Sequence, residues 1–287
     1  MQVVVVSPYG YCSGVLSAIS LALKAKKDNP STPVYLLGML VHNEDAVKML
    51  SGHGLLLLDE RVAPLERELR EVKPGSVLIF SAHGHPEGWE SIARERNLKI
   101  IDASCRFVKE NLIFGKEAAS SNPLIYIGVR GHLESEAFLS NVRSAAFYDV
   151  KTNKFEKEKV HGEQPIVISQ TTLSYLELEE AHKEIKKLFP KALIGKERCH
   201  STSFRQDAIK KLDKDIDMVI ILGSKLSNNS KKLEEIAKSE GFEARLVLDE
   251  QELRSLDLGN IKKVALASGA STSKETFLAC KAYLESL

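Results

Sequence analysis

Four cysteines occur in 287 residues, too few and too scattered for a disulfide scaffold. Three of them, Cys12, Cys105 and Cys199, stand in SPYGYCSGV, DASCRFV and ERCHSTSFRQ, each where a strand or loop gives way to a helical pattern. Their intervals are nearly equal: 93 residues from Cys12 to Cys105 and 94 from Cys105 to Cys199. Near-equal spacing at equivalent element ends predicts three similar units, each offering one thiol to a common centre. A helix N-terminus favours thiolate over thiol, and thiolates bind metal. The sequence holds no CxxC pair, which argues against a zinc ribbon or a two-thiol redox site. Three separate thiolates suit an iron–sulfur cubane with one iron left open to substrate. The fourth cysteine, Cys280, shares a helical stripe with Phe277, Leu284 and Leu287 and reads as a core residue.

Three histidines form a second set: His42 in LVHNED, His83 in SAHGHPE and His132 in GHLESE. Each closely follows a strand-like run, at 34–37, 77–80 and 124–127, and ligands of α/β folds gather at the carboxyl ends of strands. Hydroxyl and amide runs form a third set. SQTTLS offers Thr171 and Thr172, GSKLSNNSKKL offers Ser227, Asn228 and Asn229, and ASGASTSKE offers Ser271. Such residues cap helices, and the orphan N–H groups they cap also bind anions. Neither GxxxxGK[ST] nor GxGxxG occurs, which argues against a nucleoside triphosphate and against an NAD-dependent dehydrogenase.

The elements that must hold these residues alternate along the whole chain. Apolar runs at 3–6, 34–37, 77–80, 124–127, 166–169, 218–222 and 264–267 read as strands. Amphipathic patterns at 15–26, 43–51, 107–119, 176–188, 230–239 and 274–287 read as helices. Apolar strands alternating with helices predict an α/β fold with mostly parallel sheets. An apolar content of 43% and a net charge of +1 are ordinary for a globular protein and give no footprint for nucleic acid or a polybasic membrane anchor. No apolar run reaches the ~18–20 residues that span a bilayer, and no basic leader precedes the first strand. The expected location is the cytoplasm.

YGYCSGV, GMLVHN, SAHG, DASC, GHLESE, SQTTLS, the Cys199 segment with its downstream RQ, GSKLSNNS and SGAS stand in the order found in the 4-hydroxy-3-methylbut-2-enyl diphosphate reductase family. The resemblance runs from Tyr9 to Ser271. It implies three small α/β domains around a central [4Fe-4S] cluster: 13–103, 104–197 and 198–287, the last joined by the N-terminal strand 1–12. It implies cluster ligands at Cys12, Cys105 and Cys199. His42, His83, His132, Ser227, Asn229 and Ser271 would hold a diphosphate, with Thr172 and Asn228 beside them. Glu134 and Thr171 would face the substrate hydroxyl, with His132 close to the same chemistry. The family removes an allylic hydroxyl as water with two electrons and two protons, drawing on a donor such as ferredoxin or flavodoxin.

The chain departs from the family pattern at several positions. Arg106 replaces the Pro that usually follows the second cysteine, Leu133 and Ala137 replace Pro and Gly, Asn228 replaces Ser, and His200 and Phe204 are unusual for their motif. Two other readings compete with the reductase: a paralogue that reduces another small phosphorylated alcohol, and a non-catalytic iron–sulfur sensor. Glu134 and the hydroxyl runs favour an enzyme, because a sensor needs neither a proton donor nor an anion cradle.

Overall fold

Apolar runs of four or five residues, too short for helices, form the centres of three sheets. The structure is a computed structural model that describes residues 1–195 and 199–287. The chain begins with β1 (Gln2–Val5), α1 (Ser13–Asp28), β2 (Val34–Leu37), α2 (Glu44–Gly52), β3 (Leu56–Leu58), α3 (Leu65–Glu71), β4 (Val77–Phe80), α4 (Trp89–Glu95) and β5 (Lys99–Asp102). It continues through α5 (Arg106–Ala119), β6 (Leu124–Gly128), α6 (Leu133–Asn141), β7 (Ala146–Asp149), β8 (Lys154–Phe155), β9 (Ile166–Ser169), α7 (Tyr175–Leu188) and β10 (Leu193–Ile194). It ends with α8 (His200–Lys210), β11 (Met218–Leu222), α9 (Asn228–Ser239), β12 (Glu243–Val247), α10 (Glu250–Arg254), β13 (Lys263–Ser268) and α11 (Lys274–Ser286).

The first sheet has the order β3-β2-β4-β5, the second β10-β9-β6-β7-β8, and the third β1-β13-β11-β12. The β7–β8 pair is antiparallel and the other ladders are parallel. Parallel neighbours need crossover connections, and the intervening helices cover the sheet faces. Hence β4, β6 and β11 are buried along their whole length and read as unbroken apolar runs. The N-terminal β1 leaves the first unit and pairs with β13, from Gln2 opposite Lys263 to Val5 opposite Leu266.

Every strand and helix expected from the sequence is present, with ends shifted by a residue or two. Six strands (β3, β5, β7, β8, β10 and β12) carried too short or too mixed a pattern to be read. Cys280, Phe277 and Leu284 are fully buried as expected, but Leu287, which caps the end of α11, is 57% exposed. The expected domain boundary at 197–198 falls on 196–198, outside the described residues. No helix among the described residues is long and apolar enough to cross a membrane.

Candidate active site

The three histidines stand in the loops that leave β2, β4 and β6, and these loops converge. The rings of His42 and His83 stack with centroids 4.0 Å apart, and His132 meets them edge-on at 5.4 and 5.8 Å. His132 caps α6, its Nδ1 accepting the Glu134 N–H at 3.2 Å. Its Nε2 is therefore the nitrogen that carries the ring proton and can donate. Loss of solvent lowers the pKa of His42 to about 4, with the Lys231 charge adding to it. His132 falls to about 3, through burial first and then the charges of His42, Lys151 and Lys231. His83 lies well below its usual range because of burial and its two histidine neighbours. All three are neutral at pH 7 without a ligand, chiefly because burial disfavours the charged rings and secondarily because neighbouring imidazolium charges would repel.

Cys12, Cys105 and Cys199 are the N-cap residues of α1, α5 and α8. The Cys12 N–H donates to Ala270 O and the Cys105 N–H to Ala82 O, each at 2.9 Å, which ties these loops to neighbouring strand ends. Arg205, on α8, is 3% exposed and donates to the carbonyls of Pro8 and Gly10 at 2.7 Å and of Ser268 at 2.9 Å. It thereby holds the loop of Cys12 against the helix that starts at Cys199. Gly14 lies between two thiols: a Cβ there would sit 2.6 Å from the Cys105 sulfur and 3.8 Å from the Cys12 sulfur. No group of three His, Cys, Asp or Glu among the described residues is close enough to hold a single metal ion. The expectation of acidic thiols at helix N-termini is corrected here. Burial pushes Cys105 up to about 11 and raises Cys199, outweighing the nearby amides, so these two thiols stay protonated in the absence of metal.

Glu134 lies in the first turn of α6 and is 3% exposed. The Thr171 N–H donates to its Oε1 and the Thr171 hydroxyl to its Oε2, both at 2.8 Å. Burial raises the Glu134 carboxyl to about 7, and the two Thr171 bonds limit the rise. Such a group holds its proton near neutrality and can release it. Gln170 braces the pair: its Oε1 accepts from Val129 N–H and from Ser135 Oγ at 3.0 Å, and its Nε2 donates to Thr172 Oγ1 at 2.8 Å. Glu136, two residues on, instead accepts the Gly131 N–H at 2.9 Å and secures the start of the helix.

The third unit contributes the run before and within α9. Ser227 is the N-cap, its Oγ accepting from Ser230 N–H, so Asn228 and Asn229 belong to the first turn rather than preceding the helix. Asn228 Nδ2 donates to Thr172 O at 3.1 Å, bridging to the second unit. Asn229 is 4% exposed, and neither its Nδ2 nor its Oδ1 has a hydrogen-bond partner. Ser271 Oγ donates to His42 O at 3.3 Å and joins the third unit to the first.

One cavity, with ≈ 100 Å³ of accessible space, is bordered by all of these: Cys12, Cys105, Cys199, His42, His83, His132, Glu134, Thr171, Thr172, Ser227, Asn228, Asn229 and Ser271. Ser201 and Thr202 also border it, and Thr202 Oγ1 stands 3.9 Å from Cys199 Sγ. They were missed because the His200–Lys210 helix has a weak periodic pattern; their place two and three residues after a cysteine was the available signal. Lys151 and Lys231 were also missed, although their charge reaches His132. Most departures from the family pattern avoid the cavity. Arg106 pairs with Glu110 at 3.0 Å on the surface. His200 and Phe204 stack on the outer face of α8, where Phe204 is 58% exposed. Leu133 packs against the first unit. Asn228 alone lines the cavity itself.

Comparison with known proteins finds relatives over nearly the whole chain. The family described as "LytB protein" matches residues 3–285. The 4-hydroxy-3-methylbut-2-enyl diphosphate reductase of Geobacillus kaustophilus (strain HTA426) is 34% identical over 279 residues, which cover 95% of this chain and 86% of the relative. That of Symbiobacterium thermophilum is 32% identical over 291 residues, covering 99% of this chain and 97% of the relative. The solved structure of the E-1-hydroxy-2-methyl-but-2-enyl-4-diphosphate reductase from Plasmodium falciparum superposes with a TM-score of 0.87 at 26% identity, covering 99% of this chain and 87% of that one. A structure of (E)-4-hydroxy-3-methyl-but-2-enyl diphosphate reductase, the terminal enzyme of the non-mevalonate pathway, gives 0.69 at 26% identity over the full length of both chains.

Proposed function

Because the chain belongs to the LytB family, we propose that it reduces 4-hydroxy-3-methylbut-2-enyl diphosphate to isopentenyl and dimethylallyl diphosphates, removing the allylic hydroxyl as water. The observation that carries this reading is that three thiols and a buried carboxyl with a pKa of about 7 border the same cavity.

Cys12, Cys105 and Cys199 fit a [4Fe-4S] cluster. Their sulfurs flank a cavity kept open by Gly14, where any side chain would collide with Cys105. Cys105 and Cys199, which burial holds protonated, would bind iron as thiolates, the metal charge offsetting the cost of burying theirs. When bound, the cluster supplies single electrons and a Lewis acid for the hydroxyl. The rest of the step belongs to the protein. Glu134 holds the proton that the leaving hydroxyl needs, and Thr171 holds the carboxyl in place and can pass the proton on. Asn229, Ser227, Ser271 and the Nε2–H of His132 receive the diphosphate, whose negative charge is complemented by Lys151 and Lys231. The three units together shield a radical-like intermediate from water. The enzyme works in the cytoplasm and takes its electrons from a small carrier such as ferredoxin or flavodoxin.

The test is anaerobic purification with iron and sulfide analysis, followed by turnover with a reduced viologen. About four irons and four sulfides per chain are expected, with absorbance near ~400 nm that is lost in Cys12→Ser, Cys105→Ser and Cys199→Ser. Cys280→Ser should keep it. Equal loss with Cys280→Ser would show that the ligand set is wrong.

A further inference from the structure

Glu134 faces a second cavity on its other side. That cavity lies between the first and second units and has ≈ 70 Å³ of accessible space. A single water needs ~10–15 Å³ of such space, so the cavity is large enough to hold water. Val108 and Glu134 border both cavities and form the partition between them. The outer rim carries Asp102 and Lys109, paired at 2.7 Å with side chains 31% and 44% exposed. Leu112 of α5 and Ala137 of α6 also border it, as does Tyr126, whose buried hydroxyl has no hydrogen-bond partner among the described residues and feels the Glu134 charge. The lining thus includes both a partly exposed ion pair and the buried Glu134.

On the proposed reading of the reaction, Glu134 gives up one proton in each turnover. The carboxyl O–H bond breaks and its proton joins the leaving hydroxyl, the allylic C–O bond breaks and water departs, and two electrons from the proposed donor with a second proton complete the new C–H bond. The carboxylate must then regain a proton, in a step that moves no electrons. The first cavity is filled by substrate or product at that moment, and Thr171 covers both carboxylate oxygens on that side. The second cavity reaches Glu134 without crossing the ligand.

We propose that this second cavity is the water-filled path by which solvent reprotonates Glu134, with Asp102 and Lys109 at its mouth and Ala137 setting its width. The inference rests on the reductase reading above. Ala137 and Leu112 are positioning residues here, since neither touches substrate. Water in the cavity also solvates the carboxylate, so the geometry has a consequence that does not depend on turnover.

The test fills the path from two sides, with Ala137→Leu and Leu112→Phe. Ala137 packs close to the backbone of Gly84, so the first variant is crowded; the second adds bulk from α5 instead. In the cluster-loaded enzyme with reduced viologen, either variant should lower kcat about tenfold, leave KM unchanged and enlarge the solvent deuterium effect, while Ala137→Gly should match wild type or exceed it. Independently, infrared difference titration of the Glu134 carboxyl should move above its wild-type midpoint in both filled variants. Crystals of wild type with inorganic diphosphate should show ordered water against Glu134 from the second cavity. The proposal is overturned if the filled variants keep wild-type kcat, isotope effect and carboxyl titration, or if the wild-type cavity is dry. If wild type shows no turnover at all, the reductase reading fails, and the titration and water positions still decide the path.

Discussion

Two walls of the cavity treat their polar groups in opposite ways. On the second unit, both Glu134 oxygens are taken by Thr171, and Gln170 binds Val129, Ser135 and Thr172 into the same network. On the third unit, Asn229 keeps both amide atoms buried without a partner. A buried polar group left unpaired costs ~1–3 kcal/mol. The second-unit wall is complete without ligand, whereas the third-unit wall is improved by one. A complete network can hold a proton at a fixed place through the whole reaction, and an incomplete one gains most when a charged group arrives.

The largest effect that separates the walls belongs to Glu134→Gln. The amide keeps the shape and removes the acid, so kcat should fall about 10²- to 10⁴-fold while the cluster spectrum and substrate binding survive. Turnover within about threefold of wild type would move the proton source elsewhere, with His132 next in line. The same substitution should flatten the pH profile. With the carboxyl raised from 4.5 to about 7, wild-type kcat should decline as pH rises above that value. The stability sign agrees. The folded chain keeps this proton between 4.5 and about 7 while the unfolded chain releases it, so the contribution is full below 4.5 and lost as pH rises through the folded value. A denaturation series across this window should be less steep in the Gln variant.

On the opposite wall, Asn229→Ala should show two readouts of opposite sign. Removing unpaired amide atoms leaves the free protein as stable as before or slightly more so. Loss of the ligand contact should raise KM about 10- to 100-fold, the equivalent of ~1–3 kcal/mol, with little change in kcat. A drop in melting temperature with unchanged KM would mean that Asn229 serves the fold and that the two walls do not differ as described. Ser271→Ala should weaken binding less, because its hydroxyl already donates to His42 O.

How much of this was legible in the sequence follows from burial. The central strands β4, β6 and β11 are covered on both faces and so are apolar throughout. Apart from β1, the edges were missed: β12 reads EARLV with mostly alternating exposure, β10 is the exposed pair Leu193–Ile194, and β3 is three half-exposed leucines. The internal β7 was missed as well, since AFYD ends in a charged residue whose burial depends on bonds to the loop at 151–152. Site residues were legible where a residue type sat at an element end: a cysteine N-cap, a histidine after a strand, a hydroxyl run before a helix. Protonation states were not. A helix N-terminus predicts an acidic thiol, but Cys105 and Cys199 are too buried for that local effect to win. Nor did the sequence reveal which unit Asn228 would bond to, which depends on how the units pack.

Asn228 is where the two walls touch, and its effect should be the smallest and the most diagnostic. The family pattern has a serine here, a shorter side chain that carries a hydroxyl. The longer amide reaches across instead, with Nδ2 3.1 Å from Thr172 O and 3.4 Å from Thr172 Oγ1. Thr172 Oγ1 is the same atom that accepts from Gln170, so Asn228 joins the first turn of α9 to the network that braces Glu134. Asn228→Ser loses this bridge, worth ~0.5–1.5 kcal/mol as a neutral hydrogen bond, and offers a hydroxyl to the ligand in exchange. The two effects oppose each other in binding but not in stability. The melting temperature should therefore drop by a few degrees at most, KM for the diphosphate should fall or stay within about threefold, and kcat should hardly move. A kcat loss near that of Glu134→Gln would show that the bridge positions the acid, making the walls one functional unit. If wild type carries the cluster yet does not turn over the family substrate, and Asn228→Ser restores turnover, Asn228 is the residue that redirects the site to another phosphorylated alcohol.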